Sequence, residues 1–261
     1  MTAVADADRA AARPDRGEPT GTQAPAARHG TRTALAVLVG AWAGFTALAL
    51  LLVVHGTAPF GWERDAIDWS GDHRPGAARV AASAVTSLGS ALVPYAAAIG
   101  AGLLTARHVP AGPRRLLVAL APLGWLAAGQ LLRTLIMHGT GRPRPPVAGW
   151  AATASGFSFP SGHTFTSATA FGLLAWAIGR HLAAIGRPPA ARRRWTVLLL
   201  GVAALVGLSR VYLAVHWPLD ILGGWLLAAG WLALGALLAR RIPWWPSAPP
   251  EPQAGARADG S

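Results

Sequence analysis

The chain has 261 residues, of which 52% are hydrophobic and 13% charged, and its mean hydropathy is +0.37. That balance excludes an ordinary soluble domain and fits a polytopic membrane protein. The formal net charge is +12 and every basic residue is Arg. These Arg residues punctuate apolar runs and form no basic face, which argues against a nucleic-acid partner. The absence of cysteine excludes disulfides, thiolate metal sites and a Cys nucleophile.

In chain order, residues 1–32 are rich in Ala, Arg, Asp, Pro and Gly with no apolar period, and are expected to be a disordered cytoplasmic tail. The apolar run that follows reads as a retained membrane segment and not as a cleaved signal peptide. A spanning helix needs about 20 mostly apolar residues. Six segments meet this, at 33–54, 81–106, 116–137, 164–181, 196–215 and 219–238. The expected fold is therefore all-α, a polytopic bundle of six transmembrane helices over residues 33–241, with a second disordered cytoplasmic tail at 242–261. Arg107, Arg114, Arg115, Arg180, Arg187, Arg192, Arg193, Arg194, Arg240 and Arg241 flank the same ends of the spans as the Arg-rich N-terminal tail. The positive-inside rule puts both termini in the cytoplasm of a cell-membrane protein. The loops 56–77 and 139–160 and the turn at His216 then lie at the outer face. Trp62, Trp69, Trp150 and Trp217 are expected in an outer aromatic belt, and Trp195, Trp244 and Trp245 in an inner one.

Ionisable residues are costly in lipid and should face a protein interior or a watery cavity. His163, Arg210, His216 and Asp220 fall at span ends on the outer side, with Arg142 and Arg144 in the loop on that side. Ser161 precedes a long apolar stretch as an N-cap candidate, and Gly162 admits close approach to the backbone, so a helix N-terminus is available to an anion. Arg144 and Arg210 add planar forks that match phosphate oxygens, an arrangement that needs no metal. Pro218 suits the first turn of a helix, which places Asp220 where its carboxylate can reach back to His216 and raise the nucleophilicity of the ring. His163 is then a second imidazole able to protonate a leaving oxygen. Taken singly, Ser-Gly-His occurs by chance, and His-x3-Asp also describes a capping pair or half a metal site. Their conjunction at one membrane depth is the signal. Glu63, Asp65, Asp68 and Asp72 read as a solvated interfacial loop more readily than as a metal cluster.

These segments resemble the type 2 phosphatidic acid phosphatases, or lipid phosphate phosphatases. The family signature is Lys-x6-Arg-Pro, Pro-Ser-Gly-His and Ser-Arg-x5-His-x3-Asp. The chain carries Arg144-Pro145, then Pro160-Ser161-Gly162-His163, then Ser209-Arg210 followed by His216 and Asp220 at the matching spacing. The resemblance implies that His216 attacks phosphorus and becomes a phosphohistidine, that Asp220 orients it, and that His163 protonates the leaving group and then activates water. It also implies that Arg144, Ser161, Gly162 and Arg210 hold the phosphate oxygens. The first motif departs from the pattern, because Met137 stands where the family has Lys. Arg133, one helical turn earlier, is the candidate replacement, and His138 is the other nearby cation. Arg142 lies off the signature and is expected to contact a headgroup.

The expected activity is metal-independent hydrolysis of a lipid phosphate or pyrophosphate at the outer face, with no cofactor. Phosphatidic acid, phosphatidylglycerophosphate and undecaprenyl pyrophosphate are the candidate substrates. Phosphoryl transfer to another acceptor, action on a soluble ester, and a non-catalytic lipid-phosphate binding or transport protein are the alternatives.

Overall fold

The structure, a computed structural model, describes residues 24–90 and 92–246. The expected tails 1–32 and 242–261 lie largely outside these residues. The described residues form eight α-helices and no strand: α1 (Ala24–Val54), α2 (Gly61–Asp72), α3 (Gly76–Ser87), α4 (Leu92–Ala106), α5 (Pro113–Thr140), α6 (Gly162–Ala184), α7 (Pro189–Tyr212) and α8 (Pro218–Arg241). Pro at the first position of α5, α7 and α8 suits a helix start, where its missing N–H is not needed. Gly141, at φ 63°, ends α5 in the left-handed conformation that glycine adopts without strain.

Among the described residues five segments are long and apolar enough to cross a membrane: Gly30–Val54, Gly76–Ala106, Pro113–Thr140, Pro189–Tyr212 and Pro218–Arg241. Large apolar side chains such as Val39, Leu131, Leu135 and Val197 are exposed on their outer faces, as a lipid-facing surface requires. The chain is a multi-span membrane protein. Six spans were expected, and the segment that falls outside the five is α6. This helix packs against α4, α5, α7 and α8, so little of it meets lipid. Thr164, Thr166, Ser167 and Thr169 are buried on it, which lowers its hydropathy without exposing a polar group to the bilayer.

The second expected span is broken into α3 and α4. At the break a methyl group on Gly89 would lie 2.3 Å from Val206 Cγ1 of α7, so only glycine fits this close approach. The region 56–77, expected to be a loop, contains α2. Glu63 at the third position of α2 accepts the Phe60 N–H at 3.1 Å and so caps the helix. The corner between α2 and α3 clasps the end of α7. Arg74 donates to the carbonyls of Tyr212 (3.0 Å) and Gly149 (2.9 Å), and Tyr212 Oη donates to the His73 carbonyl at 2.6 Å. The expected outer belt is corrected at Trp217, which is buried and donates from Nε1 to the Pro143 carbonyl at 2.9 Å. Trp62 and Trp69 are exposed.

Close crossings depend on small residues. A methyl group on Gly102 of α4 would lie 1.9 Å from the Ala119 carbonyl oxygen of α5, whereas one on Gly100 meets nothing nearer than Leu174 Cδ1 at 3.8 Å. Gly102→Ala is expected to destabilise the protein by about 1–3 kcal/mol, while Gly100→Ala is neutral or mildly stabilising. Thermal unfolding in detergent distinguishes the two, and equal melting temperatures would contradict this account of the α4–α5 crossing.

Candidate active site

The end of α5, the start of α6, the end of α7 and the turn before α8 surround one cavity of about 600 Å³, lined by Arg133, Arg144, Gly162, His163, Arg210 and His216 among others. Three segments distant in the sequence thus meet at one end of the bundle, as their spacing relative to the spans predicted. Ser161 and Asp220, also expected in the site, lie behind the cavity wall and are buried.

His216 sits in the short connection between α7 and α8 and is 2% exposed. Its Nδ1 lies 3.4 Å from Asp220 Oδ2 and 3.4 Å from Ser158 Oγ. Its Nε2 lies 2.9 Å from Arg144 Nη1. A guanidinium can only donate, so Nε2 is the acceptor and the ring proton resides on Nδ1, facing Asp220. Burial holds the His216 pKa down at about 4; Asp220 opposes the shift, and Arg144 and Arg210 add to it. The ring is therefore neutral at physiological pH, with an unprotonated nitrogen on the cavity side.

Asp220 is the third residue of α8 and accepts the Trp217 N–H at 2.8 Å, so the helix start itself fixes the carboxylate. Ser158 Oγ donates to the same Oδ2 oxygen. The other oxygen, Oδ1, accepts from Arg142 Nη1 at 2.7 Å. Arg142 is wholly buried, and its Nη2 lies 2.5 Å from Glu63 Oε2. This corrects two expectations. Arg142 meets two carboxylates in the interior and no headgroup, and Glu63 belongs to a buried ion triad and not to a solvated loop. No short-range motif joins Glu63 to Arg142, which are far apart in the chain. Ser158 was also missed.

Arg144 uses all five of its N–H directions within the protein. It donates to the carbonyls of Gly156 (3.0 Å), Ser155 (2.8 Å), Phe157 (3.0 Å) and Val215 (2.7 Å), and to His216 Nε2. It straps the loop after the 3-10 turn Val147–Gly149 to His216. Burial lowers the Arg144 pKa, with Asp220 opposing and Arg133 adding to the shift. Arg210 donates from Nη1 to Thr86 Oγ1 at 3.0 Å, and its Nε is buried without a hydrogen-bond partner. Ser161 occupies the N-cap position of α6, but its side chain makes no capping bond; Oγ accepts from Thr164 Oγ1 at 3.0 Å. Its N–H donates to the Asp220 carbonyl at 3.1 Å, which joins α6 to α8.

Arg133 places its guanidinium beside Met137, with Nη1 3.2 Å from Sδ, and a methyl group on Gly162 would lie 3.4 Å from the same nitrogen. The cation one turn before Met137 therefore reaches the start of α6. His138 also lines the cavity and packs edge-on against Phe157. Among the described residues no group of three or more His, Asp or Glu side chains forms a metal-ligand cluster.

A family model described as the PAP2 superfamily matches residues 118–244, which hold all of these motif residues. The chain is 34% identical over 146 residues to phosphatidylglycerophosphatase B of Bacillus subtilis, an alignment that covers 55% of this chain and 66% of that protein. Residues 118–244 thus carry the PAP2 superfamily pattern. It is also 37% identical over 79 residues to an undecaprenyl-diphosphatase of Sulfolobus acidocaldarius, covering 30% of this chain and 31% of that protein. The chain thus spans a little under two thirds of the first relative and about a third of the second. Among solved structures, a transmembrane PAP2 type phosphatidylglycerolphosphate phosphatase from Bacillus subtilis superposes with a TM-score of 0.66 at 25% identity, over 79% of this chain and 98% of that one.

Proposed function

We propose that this protein is a membrane-embedded phosphatase that hydrolyses a lipid phosphate or pyrophosphate through a phosphohistidine on His216, without a metal ion. One observation carries the reading: a neutral imidazole turns Nε2 toward a cavity whose wall holds Arg133, Arg144, Arg210 and the start of α6. Guanidinium forks and helix N–H groups can meet the charge of a phosphate that a metal would otherwise meet. Phosphoryl transfer depends mainly on such positioning and charge stabilisation.

In the first step the Nε2 lone pair forms a bond to phosphorus. The bond to the leaving oxygen breaks, and that oxygen takes a proton from His163. Water then gives a proton to His163 and attacks phosphorus, the N–P bond breaks, and its electron pair returns to Nε2. Arg144 releases His216 as phosphate enters and turns that donor to a phosphate oxygen. Phosphatidylglycerophosphate is the favoured substrate, because a relative and a structural neighbour are both named for it; undecaprenyl pyrophosphate and phosphatidic acid are the other candidates. The 23 residues of α6, about 35 Å long at 1.5 Å per residue, make a sixth crossing. The termini are cytoplasmic and the cavity faces the outer leaflet, where a lipid enters sideways between helices.

Purified protein in detergent with a chelator present is expected to release phosphate from at least one of these three lipids. Loss of all turnover on chelation, restored by a divalent cation, would sink the metal-free mechanism.

Arg133 takes the place of the family lysine in this reading. Arg133→Ala is expected to lower kcat/KM by about 10²-fold, the usual loss when one transition-state donor is removed. Adding Met137→Lys to that variant restores the family pattern and is expected to recover about tenfold of the loss. A double variant no faster than Arg133→Ala would show that Arg133 does not serve in place of the lysine.

A further inference from the structure

Two helices begin beside Arg142 with the same device. Glu63 is the third residue of α2 and accepts the Phe60 N–H (3.1 Å); Asp220 is the third residue of α8 and accepts the Trp217 N–H (2.8 Å). One guanidinium, that of Arg142, lies between them at 2.5 Å and 2.7 Å, and none of the three side chains has any exposed surface. Glu63 Oε1 also accepts the Leu219 N–H at 3.1 Å, so α2 is tied directly to the first turn of α8. Arg142 Nε reaches the Thr57 carbonyl at 3.4 Å.

A buried ion pair of one acid and one base carries no net charge. This cluster has two carboxylates and one guanidinium, which leaves one formal negative charge directly behind His216. If structure alone were at stake, an apolar set of the same volume would serve as well or better, because desolvating three charged groups is costly. The excess carboxylate therefore needs a reason. His216 begins as a neutral ring with its proton on Nδ1. Once Nε2 has bonded to phosphorus, with the electron pair of the broken P–O bond leaving on oxygen, the ring carries a formal positive charge. A fixed negative charge in a low-dielectric site favours that cation.

We infer that Glu63 is a positioning residue for catalysis, which through Arg142 fixes Asp220 and supplies the net negative charge that balances the phosphorylated His216 ring. This rests on the phosphohistidine reading proposed above. Asp220 alone, fully paired to Arg142, would be neutralised; Glu63 takes up the other side of the guanidinium and frees the carboxylate of Asp220 to act on the histidine. The residue lies on α2, in a part of the chain that the signature motifs do not include.

The experiment compares the wild type, Glu63→Gln, Glu63→Gln/Arg142→Met and His216→Ala as full-length protein in detergent. The probes are phosphatidic acid, phosphatidylglycerophosphate and undecaprenyl pyrophosphate. Glu63→Gln makes the cluster neutral and is expected to lower kcat by about tenfold with KM within about twofold. The double variant removes a positive charge as well, restores the net negative charge, and is expected to turn over faster than Glu63→Gln. A merely structural role predicts the reverse order, because each substitution removes contacts. Wild-type kcat in folded Glu63→Gln, or a double variant slower than the single one, overturns the inference. If Glu63→Gln does not fold, Glu63→Asp is measured in its place. That variant keeps the charge, so kcat within about threefold of the wild type supports the inference and a larger loss overturns it. Full activity in His216→Ala would defeat the phosphohistidine reading itself, whereas an inactive His216→Ala beside a fully active Glu63→Gln defeats only the role of Glu63.

Discussion

Replacing His216 with alanine is expected to lower phosphate release by about 10⁴-fold or more, with folding intact, as when a covalent nucleophile is removed. Ser161 accepts a hydrogen bond from Thr164, and His163, which lines the cavity from α6, is proposed as the proton donor. Asp220→Asn is expected to cost less, because the Ser158 and Trp217 contacts can still hold the side chain, yet the ring loses its charged partner. His163→Ala is expected to lose about 10²–10⁴-fold, the range for general acid–base catalysis. Phosphate release under single-turnover conditions separates these cases. Residual activity in His216→Ala within tenfold of the wild type would rule out attack by that residue.

Arg142→Ala is expected to destabilise the protein by about 3–5 kcal/mol, the loss typical of breaking a buried ion pair on one side. The figure falls at the upper end here because two carboxylates are stranded, not one. Glu63 would keep only the Phe60 and Leu219 N–H groups, and Asp220 the Trp217 N–H, the Ser158 hydroxyl and His216, with no cation between the two acids. Since whole domains are stable by only about 5–15 kcal/mol, the variant should melt far earlier in detergent or fail to accumulate. Arg142→Lys keeps one charge but cannot reach both acids with a planar fork, and is expected to fall between. A melting temperature for Arg142→Ala within two or three degrees of the wild type would mean that the triad contributes little to stability. Such a result would leave the catalytic test of Glu63 standing on its own.

Much of the site was legible in the sequence because its parts obey local rules. Pro218 followed by Asp220 marks a helix start, and the structure puts the carboxylate of Asp220 at the third position of α8, beside His216. Arg133 and Met137 are one turn apart on one helix, so the cation was foreseeable near the missing lysine, and it is 3.2 Å from the sulfur. The failures have a common cause, which is that long-range packing decides them. Gly89, at the break between α3 and α4, is met by Val206, more than a hundred residues later. Four acidic residues in 61–72 read as a wet loop because their partner is invisible locally. One of them, Glu63, folds inward to meet Arg142, and its capping bond makes the segment helical.

Arg142, Arg144 and His216 all lie inside the matched stretch 118–244, yet Glu63 and Thr86, which hold Arg142 and Arg210, lie before it. The portable unit of this fold is therefore larger than its signature. A graft that moved only the motif-bearing helices into another bundle would carry a buried guanidinium without its second acid. It would also carry Arg210 without its hydroxyl partner. A functional transplant has to begin upstream of α2, so that the base of the cavity travels with its walls.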